Sequence, residues 1–166
     1  MSELAVITLR TGDRFDLGPL PIAWHGLFTA LGILTASALA LRYARERDLD
    51  EDRLAGLMIV IVLSGLVGAR LFYLIEQDPA ALLRPDEWLG TNGFSFYGAI
   101  LASVPAGLLY LRGAAQPLRL LDAAAVGFGL GMAVGRVGDI LIGEHLGDPS
   151  TLPWALQYSN PEALAP

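Results

Sequence analysis

Leu120-Leu121-Asp122-Ala123-Ala124-Ala125-Val126-Gly127-Phe128-Gly129-Leu130-Gly131-Met132-Ala133-Val134-Gly135-Arg136-Val137-Gly138-Asp139-Ile140-Leu141-Ile142 is long and apolar enough to cross a bilayer. It carries an arginine near its far end and leads into Gly143, Glu144, His145, Leu146, Gly147, Asp148 and Pro149. A charged residue inside a span costs about 2.5–3.5 kcal/mol on insertion scales, so it usually faces a polar cavity or a partner. The plainer alternative is an arginine snorkelling to headgroups above a glycine-packed helix. Gly127, Gly131 and Gly135 recur at spacing four, the small-residue pattern of close helix packing. Asp122 sits where a helix N-terminus favours an acid.

Working outward, the rest of the chain has the same character. Of its 166 residues, 54% are hydrophobic, and they come in blocks. The expectation is an all-α, polytopic helical membrane protein, residues 1–166 forming a single membrane domain with about four transmembrane helices. The spans are expected near 22–41, 54–75, 94–111 and 120–142. Residues 1–20 form a short irregular N-terminal segment on the outer side. A strand at 5–9 turns at Gly12 and Asp13, and Gly18-Pro19-Leu20-Pro21 breaks the chain before the first span. No cleavage-site pattern marks that segment as a signal peptide. Pro105 is expected to kink the third span. Residues 143–166 read as an outward loop and irregular tail.

All eleven basic residues are arginine, and none forms a polybasic run, which argues against nucleic acid as a partner. With no cysteine, the chain has no thiol nucleophile of its own. His25 and His145 lack metal-ligand spacing, so no metal is expected.

Arginines set the orientation. Arg42, Arg45, Arg47 and Arg53 follow the first span, and Arg112 and Arg119 follow the third. The other side holds Arg10, Arg14 and Arg84. The positive-inside rule then puts the first and third loops in the cytoplasm and both termini outside. Arg70 and Arg136 each lie sixteen residues past the expected inner start of their spans, about 24 Å up a helix. His25 and Tyr97 open outward-starting spans at a similar level, and Asp139, Glu144 and His145 follow Arg136. One outward-facing polar site, built by residues from all four spans, is expected at this depth. Arginine's planar fork suits phosphate, and at headgroup depth the abundant phosphate belongs to membrane phospholipid.

The stretch from Gly135 to Gly147 resembles the signature of bacterial prolipoprotein diacylglyceryl transferases, which runs Gly-Arg-hydrophobic-Gly-Asn-Phe-Ile-Asn-Gly-Glu. The resemblance continues in order through Leu17-Gly18-Pro19-Leu20-Pro21-Ile22 with Trp24, Gly26 and Leu27, then Gly68-Ala69-Arg70-Leu71-Phe72-Tyr73. Gly93-Phe94-Ser95-Phe96-Tyr97-Gly98, Asp122 and Leu152-Pro153-Trp154-Ala155 complete it. It implies a multi-pass enzyme of the bacterial cytoplasmic (inner) membrane with its site facing outward. That enzyme moves a diacylglyceryl group from phosphatidylglycerol to the lipobox cysteine of a precursor protein, without a cofactor. Carried over by position, Arg136 holds the lipid phosphate and Glu144 organises the signature loop or accepts a proton. Arg70, Asp139, Gly138 and Gly143 shape the substrate cavity. The resemblance also implies later spans, with a further arginine, beyond this chain's end.

Asp139 and Ile142 stand where the family has asparagines, and Leu146 where it has a tryptophan. An anion at 139 opposes a bound phosphate unless it pairs with Arg136 or Arg70. Tyr97 takes the place of the family histidine, while His25 stands where the family usually carries a tyrosine. The two rings are therefore expected to have exchanged places, with His25 as base and Tyr97 as hydrogen-bond donor. Two functions fit these residues: the transferase, or a catalytically impaired lipid-binding or partner-binding membrane protein on the same scaffold. Asp139, Tyr97 and the short C-terminus favour the second; Arg136, Gly138, Gly143 and Glu144, present in order, favour the first, which is the expected function.

Overall fold

The computed structural model describes residues 7–9, 12–88, 93–143, 148 and 152–158. Most of the described residues are helical. Helix α1 is Trp24–Arg45, α2 Glu51–Gln77, α3 the short Pro85–Trp88, α4 Phe96–Tyr110 and α5 Pro117–Ile142. Helices α1, α2 and α5 are long and apolar enough to cross a membrane. They match the first, second and fourth expected spans, with α1 starting two residues later and ending four later, α2 longer at both ends, and α5 starting three residues earlier. The third is shorter than expected. Its 15 residues rise about 22 Å, less than a hydrocarbon core of about 30 Å. Ser95 is extended rather than helical, and its N–H donates to the Ala69 carbonyl at 3.0 Å. Helix α4 runs through Pro105 without ending.

Large apolar side chains stand exposed in the middle of these helices, among them Leu34 at 66%, Ile59 at 60% and Leu101 at 62%. Water would not tolerate such faces over several helices, whereas hydrocarbon does. The protein is a helical membrane protein.

The chain forms two compact units. One is Ala40–Ala124. Asp50 caps α2, accepting from the Arg53 N–H at 2.8 Å, and Glu51 and Asp52 complement the dipole of the first turn. Helices α2 and α4 pack where both lack side chains: a methyl group on Gly68 would strike Gly98 and Ala102. The core lies where helix ends converge, built from Ala40, Ala44, Leu54, Leu57, Leu111, Leu120 and Ala123.

The other unit is Met1–Leu39 with Ala125–Pro166. Here α1 and α5 run antiparallel. A Cβ on Gly32 would lie 2.7 Å from the Gly131 carbonyl oxygen, and one on Gly131 would lie 2.9 Å from the Ala36 Cβ. The N-terminal segment is more regular than expected. Strands β2 (Arg14–Leu17) and β3 (Leu20–Ala23) form an antiparallel hairpin turning at Gly18 and Pro19, where Gly18 takes φ +64°. Strand β1 (Ile7–Leu9) lies within the expected strand, and the chain bends at Asp13. The strand pairs in parallel with β4 (Leu156–Tyr158), so the expected irregular tail contains a strand. The Tyr158 hydroxyl donates to the Ile140 carbonyl at 2.6 Å, and burial raises its pKa above the ordinary phenol value.

Candidate active site

The hairpin feeds straight into α1, and aromatic packing fixes the joint. Phe15 of β2 packs on Trp24 with ring centroids 4.4 Å apart, and Trp24 on Phe28 at 6.3 Å. The Trp24 N–H donates to the Asp13 carbonyl at 3.1 Å. Trp24 and Phe28 are four residues apart on a helix and so share a face. Phe28 lies against Gly138, where an added Cβ would come within 2.8 Å of the Phe28 Cβ. Gly138, expected in the substrate cavity, is therefore where α5 makes room for α1.

This packing sets His25 beside Asp139. The imidazole Nδ1 is 2.9 Å from one carboxylate oxygen, and Arg136 Nη1 donates to the other at 2.9 Å. Arg136 and Asp139 are three residues apart, hence neighbours on α5. The Asp139 side chain is only 9% exposed, against 53% for His25 and 55% for Arg136. A buried carboxylate thus lies behind two half-exposed partners. Arg136 is one of the two arginines expected to pair with Asp139.

The helix then ends. Gly143 adopts φ +77° and donates its N–H to the Asp139 carbonyl at 3.0 Å. This left-handed glycine closes α5. Glu144 and His145 lie outside the described residues.

Arg70 and Tyr97 belong to the other unit. Arg70 is 5% exposed. Its Nε donates to the Glu87 carbonyl at 3.0 Å and its Nη1 to the Gly93 carbonyl at 3.0 Å. Nη2 also donates to Glu87. Tyr73 and Phe94 flank the guanidinium, with ring centroids 5.4 and 5.9 Å away. The arginine ties the connection between α2 and α4 onto α2. Tyr97 is in the first turn of α4 and 72% exposed.

Residues 13–166 match the family model of prolipoprotein diacylglyceryl transferase. The chain is 35% identical over 144 residues to the phosphatidylglycerol–prolipoprotein diacylglyceryl transferase of Synechococcus elongatus, covering 85% of this chain and 50% of that one. It is 34% identical over 144 residues to the enzyme of the same name from Thermoanaerobacter sp., covering 82% and 54%. With the Fusobacterium nucleatum enzyme it shares 32% over 146 residues, covering 86% and 51%. The chain spans about half the length of the curated relatives it matches. It belongs to the prolipoprotein diacylglyceryl transferase family.

Proposed function

From membership of that family, we propose that this chain transfers a diacylglyceryl group from phosphatidylglycerol to the lipobox cysteine of precursor proteins. The observation that carries the proposal is the cluster of Arg136, Asp139 and His25, joined at 2.9 Å on both sides of one buried carboxylate. The names of the relatives supply both substrates.

The chemistry follows from the groups present. The cysteine sulfur attacks the diacylglyceryl carbon that carries the phosphate oxygen. A carbon–sulfur bond forms and that carbon–oxygen bond breaks, so glycerol phosphate leaves with the bonding pair. Charge grows on the departing phosphate, and the half-exposed Arg136 is the donor for it. The thiol must lose its proton, and an imidazole is a better base at neutral pH than a phenol. We assign that proton to His25, with Tyr97 contributing a hydrogen bond and Glu144 organising the loop after α5. Arg70 acts indirectly, by fixing the connection before α4. Gly138 and Gly143 bring the α5 backbone into position. The arginine distribution supports a site on the outer face of the bacterial inner membrane.

Expression of the chain in a bacterium depleted of its own transferase tests this. It should restore diacylglyceryl attachment to lipobox precursors. His25→Phe should lower attachment far more than Tyr97→Phe. Equal small losses, or a larger loss at Tyr97, would contradict the assignment of the base.

A further inference from the structure

Asp139 is not arranged like a residue that touches lipid phosphate. It is buried, and both carboxylate oxygens are engaged by side chains that are themselves half exposed. We propose that Asp139 is a positioning residue that sets the tautomer of His25 and the orientation of Arg136, coupling the base and the phosphate donor through one carboxylate. The inference rests on the transferase function above.

The tautomer follows from the geometry. A carboxylate only accepts hydrogen bonds, and His25 meets it through Nδ1 at 2.9 Å. Nδ1 therefore carries the ring proton. Nε2, on the opposite edge of the ring, keeps its lone pair, and no described residue pairs with it. A neutral imidazole held this way is a base with one defined accepting atom. When Nε2 takes the thiol proton, the ring becomes a cation, and the adjacent carboxylate stabilises it without itself accepting a proton. The second oxygen does a different job. By accepting from Nη1 it fixes the guanidinium plane, leaving the remaining N–H groups to address an anion.

The arrangement also accounts for an acid beside a phosphate site. The carboxylate charge is spent on two cationic or proton-donating partners, and its burial keeps it behind them. Phe28 on Gly138 holds the backbone that makes this possible, since His25 is three residues before Phe28 and Asp139 directly follows Gly138.

Two readouts separate this proposal from the function it rests on. The first is the nitrogen-15 spectrum of the reconstituted protein carrying His145→Gln, which leaves His25 as its sole histidine. The neutral ring should show Nδ1 protonated and Nε2 bare, and Asp139→Asn should shift it to the Nε2-protonated form. An Nε2-protonated ring in the presence of Asp139 overturns the proposal whether or not the protein turns over. The second is a double-substitution cycle on lipobox-peptide transfer. Asp139→Asn should lower kcat by about 10²–10⁴, and His25→Phe by a similar factor. The double variant should be no slower than the worse single one, because the two groups act as a unit. Additive losses would reduce Asp139 to a structural role. Absence of transfer by the unsubstituted protein, with the expected tautomer present, would sink the transferase function and leave the positioning of His25 intact.

Discussion

Arg136 illustrates what one side chain needs from its surroundings. Its fork reaches Asp139 through a single nitrogen, so the other donors remain for a ligand. Lysine would keep the charge and lose the fork. We expect Arg136→Lys to weaken phosphatidylglycerol binding and Arg136→Leu to weaken it by about 10- to 100-fold, the worth of a charge-assisted hydrogen bond. Titration with phosphatidylglycerol, followed by the fluorescence of the chain's tryptophans, measures it. Unchanged binding by a folded Arg136→Leu protein would return Arg136 to headgroup snorkelling. Much of this site was legible in the sequence. The arginine within an apolar run, the acid three residues on and the histidine at the start of the first span are all visible there. That His25 would meet the other carboxylate oxygen of Asp139 was not legible, because a contact between helices so far apart in sequence depends on tertiary placement. Nor was the environment of Arg70. The Glu87 and Gly93 carbonyls among its partners are groups that every residue carries and no sequence pattern marks.

Helices α1 and α5 are held at a distance only glycine permits. Gly131 meets Gly32 and Ala36, whereas Gly129, two residues away, has open space around its missing side chain. The two positions should respond in opposite directions. Gly131→Leu forces the helices apart and should cost about 1–3 kcal/mol. Gly129→Ala adds helix propensity without a clash and should gain up to about 1 kcal/mol. Thermal unfolding in detergent, followed by circular dichroism, compares them. Equal melting temperatures for the two variants would show that Gly131 is not a packing contact. The spacing of four already marked Gly131, but not its partner, since helix pairing across more than ninety residues leaves no local trace. The β1–β4 pair escaped for the same reason: three-residue strands joined from opposite ends of the chain have no shared turn to announce them. The hairpin before α1 was hidden differently. Two prolines within its span argued for a break, yet a two-stranded ribbon is all edge and tolerates them.

For the molecule as a whole, apolar composition and blockwise patterning carried the fold class, and the exposed aliphatic faces of the long helices agree with it. The side of the membrane rests on arginine counts. The cysteine-free chain allows a direct check with single cysteines at exposed positions. Asp16→Cys in the hairpin should label from outside intact cells, and Ala115→Cys before α5 only after permeabilisation. The reverse pattern would put the His25 end of α1 in the cytoplasm, away from secreted precursors. Beyond orientation lies the activity itself, and the most direct measurement uses purified protein in phosphatidylglycerol vesicles with a lipobox peptide, read by mass spectrometry. The account predicts a peptide heavier by one diacylglyceryl group, with glycerol phosphate released, and loss of both products in Arg136→Leu. A peptide of unchanged mass beside a folded, lipid-binding protein would contradict it, and would identify a membrane protein that holds phospholipid without transferring it.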